Sequence, residues 1–193
     1  MLALVQLTIL FFVLFDPPLS LVVFVAGTEH MVWAEKRKAA ILAVLIAGLV
    51  SFSALIWGQQ LLGLFNTNIN NFKVAGGIIL TILGIKMALG YPILPIDGSK
   101  KERSAQAIAA LIGTPLLTGP AVITSSIVLR YEYGFVLTAT AILIVLAATA
   151  LMFLQADRVH AFLGKGVTRV ISTFLGLITI SWGIGFLRDA LAF

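Results

Sequence analysis

Residues 113–126 read GTPLLTGPAVITSS. The stretch sits deep in a chain otherwise built to dissolve in lipid. Its Gly119-Pro120 step and the hydroxyls of Thr118, Thr124, Ser125 and Ser126 interrupt what would be an ordinary membrane span. Proline has no N–H to donate, and its ring clashes with the carbonyl four residues earlier. A proline break at membrane depth therefore leaves carbonyls without partners where water cannot replace them. Such backbone survives only where it is buried in protein or lines a wet cavity. The stretch thus marks the interior of a membrane protein.

The rest of the chain agrees. Its 193 residues are 60% hydrophobic and only 11% charged, with a mean hydropathy of +1.09. Soluble domains carry about 25% charge. A span takes roughly 20 apolar residues, so this length holds about six. There are no cysteines, which excludes disulfides and cysteine-ligated metals. His30 and His160 fall in charged stretches read as loops, and two isolated histidines make a poor metal site. The net charge of +5 does not indicate a nucleic-acid partner, because the basic residues are dispersed between apolar spans. MLALVQLTILFFVLF at the start lacks a basic leader region and a small-residue cleavage site. It is expected to be a retained first span.

The expected fold is all-α: a polytopic membrane protein with six transmembrane helices at roughly 2–26, 40–62, 73–90, 105–129, 134–155 and 168–188. The breaks between them are EHMVWAEKRK, FNTNINNF, GYPILPIDGSKKERS, RYEYG and QADRVHAFLGKG. Of the 13 Lys and Arg, Lys36, Arg37, Lys38, Lys86, Lys100, Lys101, Arg103, Arg158, Lys165 and Arg169 flank loops one, three and five. Only Lys73, Arg130 and Arg188 lie on the other side. Positive residues favour the cytoplasm. Loops one, three and five are therefore expected inside the cell membrane, and both termini outside.

The halves also echo one another. The first span contains LFDPPLSLVVF and the fourth LLTGPAVITSS, each with a proline break followed by small or hydroxylated residues. The third opens FKVAGGIILTIL and the sixth VTRVISTFLGLI, so that Lys73 aligns with Arg169 and Gly76-Gly77 with Ser172-Thr173. With the charge assignment, this describes a 3+3 inverted-topology repeat in one transmembrane domain, residues 1–193. Its halves are about 1–92 and 104–193, joined by cytoplasmic loop 91–104. Matched Pro/Gly-interrupted spans in two halves are the best sequence pointer to a transporter's binding site.

The candidate substrate-binding residues are Asp16, Pro17, Ser20, Thr118, Gly119, Pro120, Thr124, Ser125, Gly76 and Gly77. A half-helix that starts after a break offers free N–H groups and a positive dipole end to a carboxylate, while unwound carbonyls attract cations. Paired breaks therefore suit a zwitterion. Asp16 is the only acidic residue inside an expected span, where a carboxylate costs about 2.5–3.5 kcal/mol on insertion scales. It suits an ammonium, a coupling cation or a proton relay. Alternatively it caps the half-helix behind it, since Asp before Pro-Pro is a good N-cap. The hydroxyls have an alternative role in bonding back to their own helix, and Gly76-Gly77 in close helix approach. No nucleophile–base pair, phosphate loop or metal spacing is present. An enzyme, a metal site and a bound cofactor are not expected.

At these residues the chain resembles the MarC family of six-span membrane proteins, which includes the SnatA-type neutral amino-acid transporters. The resemblance rests on FDPPLSL, AEKRKAA, FKVAGG and TPLLTGPAVITSS and covers nearly the whole chain. It departs at Pro18, Leu19 and Ser20, where the family usually has a Leu-Gly pair and a small polar residue, and at Ala121, where the family motif has glycine. The resemblance implies secondary transport of small neutral amino acids such as glycine or alanine by alternating access, with protons or sodium as coupling ions. A metal-ion exporter or channel on a related scaffold, or an exporter of another small metabolite, is the alternative. The expected partners are a zwitterionic amino acid and the lipid bilayer. Homo-oligomerisation is left open by the sequence.

Overall fold

A computed structural model describes residues 2–90 and 104–191. Among these, every regular element is helical: α1 (Leu2–Phe15), α2 (Pro17–Gly27), α3 (Trp33–Leu64), α4 (Ile69–Leu89), α5 (Ala105–Leu111), a π-wound turn (Ile112–Leu117), α6 (Pro120–Tyr133), α7 (Phe135–Leu154) and α8 (Ala156–Leu191). Among the described residues, five stretches are long and apolar enough to cross a membrane: α1 with α2 together, α3, α4, α7 and Arg169–Leu191 of α8. Ala105–Thr114 is apolar but shorter. The all-helical, multi-pass fold is as expected from the sequence.

The interrupted pair α1–α2 lies at the centre. Leu7, Leu10, Phe11 and Phe15 of α1 and Leu21 and Phe24 of α2 are all buried, and Phe24 stacks on Phe153 of α7 at 4.9 Å. On α3, volume rather than hydrophobicity separates the inner face from the outer. Ala39, Ala43, Ala47 and Ser51 recur every fourth residue and are buried, whereas Ile41, Leu45 and Leu49 are exposed. Small residues let backbones approach closely in lipid. Gly113 takes up this space: a Cβ there would lie 2.7 Å from Ile46 Cβ and 2.8 Å from the Ala43 carbonyl. The interrupted stretch 105–133 is thereby laid along α3.

Helices α4 and α8 run antiparallel along a reciprocal glycine seam. A Cβ on Gly77 would meet the Gly183 carbonyl at 2.7 Å, and one on Gly183 the Gly77 carbonyl at 2.8 Å. Two turns along, Gly84 and Gly176 stand in the same relation, at 2.6 and 2.7 Å. Charged pairs tie the ends. Lys36 at the start of α3 bonds Asp157 at the start of α8 at 3.0 Å, and Lys73 of α4 pairs with Glu132 of α6. Loops one and five therefore share one end of the bundle, and loops two and four the other.

Several expected loops are helical. The EKRK run belongs to the first turns of α3, and Arg130–Tyr133 to the last turn of α6, where Gly134 makes the turn alone with φ 83°. QADRVHAFLGKG is almost wholly the beginning of α8, so His160 lies in a helix rather than a loop, while His30 is in a turn. Charged residues mark where a helix leaves the hydrocarbon, not where it ends: α3, at about 1.5 Å per residue, is longer than the roughly 30 Å hydrocarbon core. Loop 91–104, with Lys100, Lys101 and Arg103, lies outside the described residues except for Ser104, whose hydroxyl caps α5 at Ala107 N–H.

Candidate functional site

The first break is made by Asp16-Pro17-Pro18. A residue before proline is pushed out of the right-handed helical region, and Asp16 adopts φ 39°, ψ 64°, a left-handed conformation that Asp tolerates better than most residues. Pro17 and Pro18 then open α2. They have no N–H for the carbonyls of Val13 and Leu14. The Phe15 carbonyl would pair with Leu19 N–H, but that group donates instead to Asp16 Oδ1 at 3.3 Å. The Ser20 hydroxyl donates to the Phe15 carbonyl in its place, at 3.3 Å. The Asp16 backbone carbonyl accepts from Ser20 N–H at 3.0 Å. The second carboxyl oxygen, Oδ2, is buried without a partner.

The second interrupted stretch breaks twice by the same rule. Thr114, before Pro115, is extended at φ −149°, ψ 120°. Gly119, before Pro120, is extended at φ −70°, ψ 175°. The Thr118 hydroxyl bonds back across this stretch: Oγ1 donates to the Gly113 carbonyl at 2.5 Å and lies 3.3 Å from Thr114 Oγ1. The sequence reading named only Gly119-Pro120 as the break here. Thr114-Pro115 was missed, although the same pre-proline restriction marks it.

A cavity of about 190 Å³ lies between the two breaks. Of the residues singled out from the sequence, Asp16, Ser20, Gly119 and Pro120 line it. Pro17 and Thr118 are buried beside it, holding the breaks in shape. Thr124 bonds back to the Pro120 carbonyl at 2.8 Å, and Ser126 to Val122 at 2.7 Å. Ser125 is buried with its Oγ unpartnered and is not part of the lining. Gly76 receives the Thr124 methyl and Gly77 the Gly183 backbone. Both serve helix approach, and neither lines the cavity.

The remaining lining is apolar and was not singled out from the sequence. Ile79, Leu83 and Met87 of α4 form one wall, with Leu14, Leu19, Leu116, Ala121 and Val122 around it. The three α4 residues recur every fourth position, so they share one helix face.

The two half-helix starts facing the cavity differ electrically. Pro17 and Pro18 have no N–H, and those of Leu19 and Ser20 are both taken by Asp16. The first turn of α2 is therefore spent, and a carboxyl stands in front of it. At α6 Pro120 has no N–H, the N–H groups of Val122 and Ile123 return to the Gly119 carbonyl, and Ala121 has the first N–H without an intrahelical acceptor. The cavity lining thus carries both a carboxyl and a positive helix end.

The whole chain, residues 1–193, matches the family described as MarC family integral membrane protein. A UPF0056 membrane protein of Archaeoglobus fulgidus is 29% identical over 191 residues, covering 94% of this chain and 88% of the relative. One of Buchnera aphidicola is 30% identical over 170 residues, covering 86% and 80%. UPF0056 membrane protein YhcE of Escherichia coli is 28% identical over 185 residues, covering 91% and 86%. No solved structure matches the chain.

Proposed function

The chain belongs to the MarC family of integral membrane proteins, and we propose that it is a secondary transporter of small neutral amino acids, with the cavity between the two breaks as its substrate site. The observation that carries this reading is the buried Asp16 Oδ2, without a partner, on a cavity that the N-terminus of α6 also lines. An intramembrane carboxyl is expensive and marks function by default. Here it faces the substrate ammonium. The Ala121 and Gly119 N–H groups, reinforced by the α6 dipole, take the carboxylate. The volume is below the roughly 300–1,000 Å³ of drug-sized sites, which suits a small solute. We read the protein as a carrier rather than an enzyme.

Residues 105–133 supply a sixth crossing in two pieces, paired with the interrupted first crossing. The glycine seam supports an inverted repeat. Exchanging the halves so that Gly77 replaces Gly176 and Gly84 replaces Gly183 turns one reciprocal contact into the other. That register differs from the alignment of Lys73 with Arg169. Loops one, three and five face the cytoplasm of the cell membrane by the distribution of basic residues. Rocking of one repeat against the other switches access.

The test is uptake of labelled neutral amino acids into proteoliposomes, with and without a sodium or proton gradient, by the wild type and by Asp16→Asn. The amide retains an oxygen for Leu19 N–H but loses the charge-assisted bond to the ammonium, worth about 1.5–3 kcal/mol, or roughly tenfold or more in apparent affinity. Unchanged uptake by this variant removes Asp16 from the site.

A further inference from the structure

We propose that the α4 face of Ile79, Leu83 and Met87, with Leu19 across from it, is the specificity wall of this cavity, and that it selects neutral amino acids with branched aliphatic side chains over glycine. This rests on the transport reading above and names the substrate class within it.

The volume comes first. The cavity has a volume of about 190 Å³, many times the roughly 10–15 Å³ that one ordered water needs. It is larger than an engineered apolar cavity of about 150 Å³ that stays dry and binds benzene. A glycine held between Asp16 and the α6 N-terminus leaves most of this space unfilled.

The chemistry of the unfilled part comes second. Among the described residues, Asp16 and Ser20 are the only polar side chains on the lining, and the Ser20 hydroxyl hydrogen is already given to the Phe15 carbonyl. Away from the carboxyl and the helix end the surface is aliphatic. Water there finds too few partners to be well held, since a buried water makes about three hydrogen bonds. A substrate side chain that fills the space needs carbon and no hydroxyl.

The wall's stiffness comes third. Ile79 and Leu83 lie between Gly77 and Gly84, whose carbonyls and Cα atoms abut the backbone of Gly183 and Gly176. Backbone-to-backbone contact cannot be taken up by rotamer changes, so α4 is seated on α8 rather than free to settle around a smaller ligand. Interiors packed in this way do not collapse fully when a group is removed.

The experiment is competition against a labelled neutral amino acid in proteoliposomes, using glycine, alanine, threonine, valine and leucine as unlabelled competitors. Valine and threonine have the same shape and differ by a methyl for a hydroxyl. Valine and leucine are expected to compete about tenfold or more better than glycine, and valine about tenfold or more better than threonine. Leu83→Phe reduces the space and should weaken leucine more than alanine. The wild-type ranking stands as a test even if that variant fails to fold. If glycine or alanine outcompetes valine and leucine, or threonine equals valine, the specificity wall is refuted while the transport reading stands. If Leu83→Phe folds and leaves the ranking unchanged, Leu83 is removed from the wall. Absence of uptake of any neutral amino acid refutes both.

Discussion

Two glycines on one turn of α8 should respond to the same substitution with opposite signs. In a helix interior, alanine is better than glycine by about 0.8–1 kcal/mol. At Gly185 nothing lies within 4 Å of an added Cβ, so Gly185→Ala is expected to stabilise by about 0.5–1 kcal/mol. At Gly183 the added Cβ meets Thr81 Oγ1 at 2.5 Å, the Gly77 carbonyl at 2.8 Å and Thr81 N at 2.9 Å. Two of these atoms are backbone, so relief requires α4 and α8 to move apart. Overpacking costs about 1–3 kcal/mol. After subtraction of the propensity gain, Gly183→Ala is expected to destabilise by up to about 2 kcal/mol. For a chain of this length 1 kcal/mol corresponds to about 2–4 °C. Thermal unfolding of the purified protein in detergent should therefore show Gly183→Ala a few degrees below the wild type and Gly185→Ala slightly above it. The consequence extends to the cavity, because Ile79 and Leu83 stand on the segment that would be pushed off α8. If both variants shift the same way, or Gly183→Ala unfolds at or above the wild-type temperature, the glycine seam is not what holds α4 in place.

The hydroxyls that repair the breaks should be costly to remove. Ser20→Ala leaves the buried Phe15 carbonyl without its donor, and a drop of about 1–3 kcal/mol is expected; Thr118→Val loses the buried bond to the Gly113 carbonyl and should cost about 0.5–1.5 kcal/mol. Thr140→Val, which loses only a back-bond to Val136 on an exposed face, should be near neutral in the same unfolding assay. The two tertiary ion pairs among the described residues should also separate. Lys73→Met strands Glu132 in a pair whose side chains are 11% and 27% exposed; its cost should be large but below the roughly 3–5 kcal/mol of a fully buried pair. Asp157→Asn breaks a pair whose acid is 67% exposed and should cost less than about 1 kcal/mol.

The breaks were legible because they are local chemistry. Proline acts on its own N–H, on the carbonyl four residues back and on the residue before it, and all three effects can be read from Asp16-Pro17 and Gly119-Pro120 without knowing what lies nearby. Thr114-Pro115 is equally legible by the same rule. The α4 wall was not legible. Ile79, Leu83 and Met87 face a cavity, whereas Ile78, Ile82 and Ile85 on the same helix are exposed, and hydropathy is the same for both sets. In a soluble protein polarity would separate the faces; in lipid both sides are apolar and only volume distinguishes them. The glycines of α4 and α8 record that volume, but the basic residues Lys73 and Arg169 drew the alignment to a different register. Charge likewise misplaced the loops, since a helix can project beyond the hydrocarbon with its hydrogen bonds intact.

One residue makes the two breaks unlike. Both half-helices begin with proline after a residue that proline has forced out of the helical region, and by backbone alone each would present a positive end to the cavity. At α2 the forced residue is Asp16. Its side chain and its carbonyl together take the only two donors the first turn retains after two prolines, so the same residue that ends α1 also cancels the positive end of α2 and leaves a carboxyl oxygen over. At α6 the forced residue is Gly119, which has no side chain to do this, and the Ala121 N–H remains available. Two breaks made by one steric rule thus acquire opposite polarity from the identity of the residue before the proline. A repeat with glycine at both positions would face a ligand with two positive ends, and one with aspartate at both would spend both sets of donors. On the proposed transport reading, asymmetry at this single position is what gives each end of a zwitterion its own place on the cavity.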